Sequence, residues 1–171
     1  MHFLRCFLYL FAVGVLSFVL GRGLATRAID PEKGWFRSYK WERDGKIYEY
    51  LGIRSWYNKL PDMSRILPRT MPKKALEHDY VYHLPTVIRE TCVAEIVHVF
   101  LSIAGLGCLL IWPGVGGVTV TVLFSVILNG PFILVQRYNR PRLIRLYKRL
   151  LKKHAEMPPL VKTTTQTGAS R

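Results

Sequence analysis

The chain has 171 residues, a length typical of one domain, and 25 Lys and Arg against 11 Asp and Glu give it a formal net charge of +14. Half of the residues are apolar and 21% are charged. The apolar residues are concentrated in three runs almost free of charge, 7–20, 93–112 and 115–135, which excludes an ordinary soluble domain. The basicity fits nucleic acid, anionic lipid or an anionic co-substrate, and the apolar runs favour the last two.

Zinc-binding and nucleic-acid sites are disfavoured by the same pattern. Three cysteines, Cys6, Cys92 and Cys108, lie in or beside the apolar runs and form no CxxC pair. Basic and aromatic residues stack on single-stranded nucleic acid only on a soluble platform, which two membrane spans do not provide. We therefore expect unpaired buried thiols and no nucleic-acid partner.

The runs at 93–112 and 115–135 are each long enough to cross a hydrocarbon core about 30 Å thick, since a helix rises roughly 1.5 Å per residue. Little more than Pro113 and Gly114 separates them, which predicts a tight antiparallel hairpin. Residues 1–21 are predicted to be a first span or signal anchor, with a cleaved signal peptide as the alternative. The predicted fold class is an all-α integral membrane protein with three transmembrane helices in a single domain, residues 1–171.

The distribution of positive charge predicts an orientation. The segment at 22–92 and the tail at 136–171 flank the hairpin at 93–135, and both are rich in Lys and Arg. By the positive-inside rule both face the cytoplasm and the N-terminus lies outside. We therefore expect a multi-pass protein of the cell membrane.

The segments outside the spans are predicted to lie at the membrane interface. Residues 22–92 alternate basic residues with an aromatic belt, namely Trp35, Trp41, Tyr48, Tyr50, Trp56 and Tyr57. Within them, Asp44-Gly45 predicts a hairpin turn and 47–60 a short interfacial helix. Beyond Pro141, leucines at helical spacing among Lys and Arg predict an amphipathic C-terminal helix on anionic membrane lipids. Residues 163–170 are predicted to be a disordered end.

Two ionisable residues, Glu95 and His98, lie within the second run, where burial in lipid makes them functional candidates. They are about 60° apart around a helix and about 4.5 Å apart along its axis, which is within contact reach. Thr91 and Ser102 continue the same polar stripe. A histidine whose tautomer is fixed by a carboxylate suits a general base. Two alternatives stay open: polar contacts between helices, and a metal site that uses the two ligands of Glu-x-x-His.

The short turn also predicts a register between the two spans. If the turn centres near Val115, Glu90 faces Arg140 in an ion pair and His98 faces Phe132. Polar residues at the cytoplasmic ends are then candidate substrate-binding residues: Glu90, Asn129, Gln136, Arg137, Asn139 and Arg140. The two arginines suit a phosphate or a developing oxyanion, or serve as positive-inside anchors.

Three strings carry a resemblance to a known family. The chain resembles the glycosyl-4,4'-diaponeurosporenoate acyltransferase family, which is linked to the last step of staphyloxanthin-type carotenoid synthesis, at 41–62, at RETCVAEIVH (89–98) and at NGPFILVQRYNRPR (129–142). The QRYNR string at 136–140 is the most specific. Val99 and Gly130 depart from the family pattern, in which we expect an aromatic residue and Leu.

The resemblance implies transfer of a fatty acyl group from an acyl thioester, acyl-coenzyme A, to a sugar hydroxyl of a glycosylated carotenoid or similar glycolipid. His98 would deprotonate the hydroxyl, and Glu95 would stabilise the imidazolium. Arg137 and Arg140 would bind the phosphates of the donor. No nucleophile except Ser102 is placed near His98, so we expect direct transfer, without a metal or a cofactor beyond the co-substrate.

Two other function classes stay open at this stage. One is a non-catalytic membrane protein whose basic tail binds anionic lipid or a partner. The other is a metal-dependent intramembrane hydrolase, which bound zinc in the purified protein would favour.

Overall fold

The computed structural model describes residues 1–25, 29–59 and 77–156, and within these ranges the chain is helical and forms no β-strand. The α-helices are α1 (His2–Ala25), α2 (Ile53–Trp56), α3 (Glu77–Ala104), α4 (Gly107–Ile111), α5 (Val115–Val122) and α6 (Gly130–Glu156). Short 3₁₀ helices cover Gly34–Phe36, Lys40–Glu42, Lys46–Leu51 and Tyr57–Lys59. The expectations for residues 60–62 and 163–170 lie outside the described residues.

Three helical stretches are long and apolar enough to cross a membrane: His2–Leu24, Tyr82–Ile111 and Val115–Glu156. Many of their large apolar side chains point outward, among them Phe11, Ile103 and Val126. Exposed apolar surface of this extent is typical of contact with lipid or with a partner. The prediction of an all-helical protein with three candidate spans is confirmed.

Helix α3 packs against the chain that follows the turn, and the contacts run in opposite directions along the two partners. The hydroxyl of Ser102 donates to the carbonyl of Ser125 at 3.2 Å. The ring of His98 stacks on Phe132, with 4.6 Å between centroids and 8° between planes. The prediction that His98 faces Phe132 is therefore confirmed.

The helices differ in length from the apolar runs that predicted them. Helix α3 begins 16 residues before the run at 93–112, and it ends at Ala104 before the short helix α4. Helix α6 continues through Pro141 to Glu156, so the amphipathic tail extends the third span instead of forming a separate helix. Pro141 removes one backbone hydrogen bond from the helix. Because the surrounding Leu, Lys and Arg are good helix formers, the helix tolerates this loss.

A π-helix, Leu123–Asn129, joins α5 to α6. In a regular α-helix the ring of Pro131 would clash with the carbonyl of residue 127, and Pro131 has no N–H to donate. Pro131 lies just after the π-helix, in the first turn of α6. The π-helix ends on Asn129, which is buried.

Helix α1 runs antiparallel to α3. Near its start, the hydroxyl of Tyr9 donates to the carbonyl of Ala104 at 2.8 Å. Near its end, a Cβ on Gly21 would lie 3.0 Å from the side chain of Val97. The N-terminus therefore lies at the same end of the structure as the 112–114 turn, and residues 29–59, here called the connecting segment, contact the opposite end.

The three cysteines are free and buried, as predicted. The sulfur of Cys6 lies 3.9 Å from the carbonyl oxygen of Cys108, where α1 meets α4. The sulfur of Cys92 lies 3.7 Å from the carbonyl oxygen of Ile88, in its own helix. All three act as small core residues.

The connecting segment is less regular than predicted. A turn is present at Asp44-Gly45, but it joins two 3₁₀ helices and not two strands. Arg43, Asp44 and Gly45 all have positive φ, at 48°, 56° and 85°. The helix predicted at 47–60 is broken because Gly52 also has a positive φ, 62°, which ends Lys46–Leu51 before α2 begins.

The tight turn generates a stability prediction. A Cβ on Gly117 would overlap the carbonyl oxygen of Trp112, a backbone atom that cannot rotate away. We expect Gly117→Ala to cost about 1–3 kcal/mol, which lowers Tm by about 3 °C for each kcal/mol. Thermal unfolding in detergent measures it. Gly14→Ala is the control, because nothing lies within 4 Å of a Cβ at Gly14; equal Tm values for the two variants would contradict the packing.

Candidate active site

Glu95 is a fully buried carboxylate at the interface between α3 and α6. Its Oε1 accepts hydrogen bonds from Nε of Arg137 at 2.7 Å and from the indole N–H of Trp35 at 2.9 Å. Its Oε2 accepts a hydrogen bond from Nη2 of Arg140. One carboxylate thus binds two guanidinium groups of α6 and one residue of the connecting segment.

Arg140 is 1% exposed and is held by α3 and by the connecting segment. Its Nε donates to Oγ1 of Thr91 at 2.9 Å, and its Nη2 also donates to the carbonyl of Thr91 at 3.0 Å. Its Nη1 donates to the carbonyl of Phe36 at 3.0 Å. The guanidinium also lies over the Phe36 ring, 5.3 Å from its centroid. All three nitrogens of this guanidinium are therefore engaged.

Arg137 makes the second set of contacts with the connecting segment. Its Nη1 lies 3.3 and 3.4 Å from the two carboxylate oxygens of Glu42, and its Nη2 donates to the carbonyl of Trp35 at 2.9 Å. Its guanidinium also lies over the rings of Trp35 and Tyr39, at 5.6 and 5.1 Å from their centroids. Two acids and two arginines make a charge-balanced group, here called the buried ion cluster: Glu42, Glu95, Arg137 and Arg140.

Glu42 is a member of this cluster that the sequence analysis did not single out. It is 2% exposed, and it accepts hydrogen bonds from the hydroxyl of Tyr48 at 2.5 Å and from the backbone N–H of Tyr39 at 2.7 Å. Burial, together with the hydrogen bond to this carboxylate, raises the pKa of Tyr48 well above its usual range. The available signal was its position three residues after Tyr39, where a Glu caps the start of a helical turn.

His98 has a neutral hydrogen-bond partner. Its Nδ1 lies 2.8 Å from Oδ1 of Asn129, whose Nδ2 donates to the carbonyl of Phe124 at 2.8 Å. Because that carbonyl only accepts, the amide oxygen faces the histidine, so Nδ1 carries the proton and Nε2 keeps its lone pair. The hydroxyl oxygen of Ser102 lies 2.9 Å from the carbonyl oxygen of His98 and 3.2 Å from that of Ser125, so the two carbonyls share its one proton.

Two expected contacts do not form. Glu95 does not hold His98: both of its oxygens accept from arginines, and Asn129 is the residue that orients the imidazole. Guanidinium groups donate stronger, charge-assisted hydrogen bonds to a carboxylate than a neutral imidazole does. The Glu90–Arg140 ion pair is also wrong, because about 100° of helical rotation separates Glu90 from Thr91, which is the residue that faces Arg140.

The remaining predicted residues differ in environment. Glu90 is exposed and forms no ion pair within the described part of the chain. Gln136 and Asn139 are half-buried, and in the ranges described their amides have no hydrogen-bond partner. They follow Phe132 by four and seven residues and so share its face of α6. Both amides therefore lie on the His98-facing side of that helix.

A cavity of about 400 Å³ opens beside the buried ion cluster, between the connecting segment and α6. Three acidic residues line it, together with five cationic ones: Arg37, Arg137, Arg140, Arg145 and Lys148. No three His, Cys, Asp or Glu side chains converge on a possible metal site among residues 1–25, 29–59 and 77–156. The cavity is therefore suited to an anionic group.

The comparison with known proteins decides the family. A family model described as glycosyl-4,4'-diaponeurosporenoate acyltransferase matches residues 31–149. The chain belongs to this acyltransferase family. Proteins of that name from Staphylococcus aureus strains MRSA252, USA300 and NCTC 8325 are each 32% identical over 123 residues, which cover 71% of this chain and 72% of theirs. No solved structure matches.

The resemblance on which the sequence analysis relied is thus confirmed, and the enzyme class is acyltransferase. The region that matches the glycosyl-4,4'-diaponeurosporenoate acyltransferase model contains the buried ion cluster, His98 with Asn129, and the cavity. Helix α1 lies outside the match. The shared region is therefore the one that carries the candidate site.

The cluster generates a prediction that replaces the Glu90–Arg140 pair. Glu95→Gln leaves Arg137 and Arg140 with one carboxylate fewer in a buried site, so we expect a loss of about 3–5 kcal/mol. Glu90→Gln, on the exposed side of the same helix, is the matched control and should change stability by less than about 0.5 kcal/mol. Thermal unfolding in one detergent measures both variants. Similar losses for the two variants would show that Glu95 does not stabilise the interface.

Proposed function

We propose that the protein transfers a fatty acyl group from an acyl thioester, acyl-coenzyme A, to a sugar hydroxyl of a glycosylated carotenoid or a similar glycolipid. The names of the relatives supply the acceptor class. The observation that carries the proposal is His98, whose Nδ1 is held by Asn129 so that Nε2 is available as a base. It lies in a helix long and apolar enough to cross a membrane.

In the proposed reaction Nε2 of His98 takes the proton of the sugar hydroxyl, and the oxygen of that hydroxyl attacks the thioester carbonyl carbon. The tetrahedral intermediate collapses as the C–S bond breaks, and the thiolate leaves with the electron pair. The imidazolium returns its proton to the thiolate, so His98 ends as it began. Ser102 is not used as a nucleophile, because its hydroxyl is committed to backbone carbonyls.

The role of Glu95 in this proposal is indirect. It forms ion pairs with both Arg137 and Arg140, one helical turn from His98, and together with Glu42 it balances their charge, so it positions α6 and the connecting segment. The assignment of these arginines to the phosphates of the donor stays a prediction. Because all three nitrogens of each already donate within the described residues, a phosphate would have to share those hydrogens with carboxylates and carbonyls.

The acceptor sugar is proposed to contact Gln136 and Asn139. Their amides carry both donors and acceptors, which is what a sugar hydroxyl requires. They lie on the face of α6 that carries Phe132, which stacks on His98. Glu90, which is exposed on α3 five residues before Glu95, is proposed as a peripheral contact of the acceptor.

We propose that the end of the structure with the buried ion cluster faces the cytoplasm and that the N-terminus and the 112–114 turn face outward in the cell membrane. Lys and Arg are concentrated at the cluster end, on the connecting segment and the last turns of α6. The cationic face of α6 is proposed to bind anionic lipid headgroups. This orientation places the donor site on the side where acyl-coenzyme A is made.

Cysteine labelling tests this orientation. Val115→Cys lies at the turn and Lys152→Cys near the end of α6, and both positions are exposed. In intact cells a membrane-impermeant maleimide should label the first variant, and it should label the second only after permeabilisation. The wild type is the control, because its three cysteines are buried. Labelling of Lys152→Cys in intact cells would contradict the orientation and the access to the donor.

Acyl transfer tests the base. His98→Gln should lower kcat by about 10²–10⁴-fold, because Nε2 is lost as a proton acceptor. Asn129→Leu should lower kcat by a smaller factor, because the imidazole remains but its tautomer is no longer fixed. The assay incubates the protein in liposomes with labelled acyl-coenzyme A and glycosylated lipids and measures ester formation.

His83→Gln is the control for this test, since His83 is an exposed histidine of the same helix. It should retain wild-type turnover. Thermal unfolding of each variant separates loss of catalysis from loss of the fold. A folded His98→Gln protein with wild-type kcat would show that His98 only joins the helices.

A further inference from the structure

The cationic cavity has side chains that the proposed reaction does not use. Five cations and three acids line it, and because Arg137, Arg140 and Glu42 belong to the charge-balanced ion cluster, the rest of the lining carries a net charge of +1. Two of the acids form solvent-exposed ion pairs, Glu32 with Lys148 and Asp44 with Arg145. Exposed pairs of this kind are weak and exchange readily for a ligand. Within the described ranges, the guanidinium of Arg37 has no ion pair at all.

Ser38 adds a second, independent observation. Its Oγ is buried and has no hydrogen-bond partner among the described residues. Buried hydroxyls are normally hydrogen-bonded, so the Ser38 hydroxyl is available to a partner from outside the described residues, such as a bound ligand. Ser38 lines the same cavity and follows Arg37 directly.

We propose that this cavity binds the phosphate groups of the acyl donor, with Ser38 and Arg37 as ligands and with Arg145 and Lys148 released from their surface pairs. The inference rests on the proposed function and extends it to residues outside the buried ion cluster. A phosphate oxygen accepts from a hydroxyl and, bidentately, from a guanidinium. These side chains can therefore all bind a phosphate group.

The distance to His98 favours a particular kind of donor. Arg140 lies in the cavity wall and Phe132 stacks on His98; the helical rise from position 132 to position 140 is roughly 12 Å. The phosphates and the reacting carbonyl of the donor must therefore sit at opposite ends of an extended arm. A coenzyme A thioester has this form, whereas in a phospholipid the acyl ester lies close to the phosphate.

Binding of free coenzyme A to the full-length protein tests the inference without requiring acyl transfer. In phosphatidylcholine nanodiscs, calorimetry should show binding that weakens with salt. Arg37→Gln and Ser38→Ala should each raise Kd by about tenfold. Arg149→Gln is the matched control, since Arg149 is exposed on α6 and does not line the cavity. Equal Kd values for Arg37→Gln, Arg149→Gln and the wild type would overturn the inference.

Nanodiscs that contain phosphatidylglycerol form the second arm. If the cavity binds soluble donor, the loss caused by Arg37→Gln persists in them. If lipid phosphate occupies the cavity, coenzyme A binding falls in the wild type and the Arg37→Gln effect disappears, which overturns the inference. Arg37 is an exposed side chain, so this variant keeps the test decisive even where Ser38→Ala fails to fold.

Kinetics separate this inference from the proposed function. In the acyl-transfer assay, both cavity variants should raise KM for acyl-coenzyme A and leave kcat unchanged. Unchanged KM in an active enzyme overturns the cavity assignment and leaves the function intact. Coenzyme A binding that depends on Arg37, in a protein that transfers no acyl group, supports the cavity and overturns the function.

Discussion

The structure depends on one shared carboxylate. Glu95 accepts hydrogen bonds from two arginines of α6 and from Trp35 of the connecting segment, so three parts of the chain meet at a single buried group. A buried charge without a partner is costly, so neither guanidinium group can be buried between the helices without a carboxylate partner. Assembly of the connecting segment against α3 and α6 is therefore coupled to the neutralisation of these charges.

Glu95 of the buried ion cluster and the proposed base His98 occupy successive turns of α3, and their surroundings differ in chemistry. At the level of Glu95 the contacts are ionic and balanced, and at the level of His98 they are neutral, made by an amide and an aromatic ring. An amide orients an imidazole without adding a charge to the apolar layer. The π-helix that ends on Asn129 supplies this amide.

The apolar runs and the short turn were sufficient to predict the candidate spans and the contact of His98 with Phe132, because helical rise and one turn position determine depth. They did not predict which residue of α3 contacts Arg140, since an error of one residue in register rotates the contact by about 100° around the helix. The contacts of Trp35 and Glu42 with α6 span about a hundred positions in sequence. No local sequence pattern predicts contacts of that range. The positive φ of Gly52 breaks the helix predicted at 47–60.

The ladder of contacts between α3 and the chain after the turn limits how the length of the protein can vary. Ser102 meets Ser125, His98 meets Asn129 and Thr91 meets Arg140, so the pairs are tied together through the turn at 112–114. One inserted residue there would shift one side of the ladder by roughly 1.5 Å and rotate it by about 100°, separating every pair at once. Homologous sequences can therefore exchange side chains in this turn far more freely than they can gain or lose residues, and alignments across it should be free of gaps.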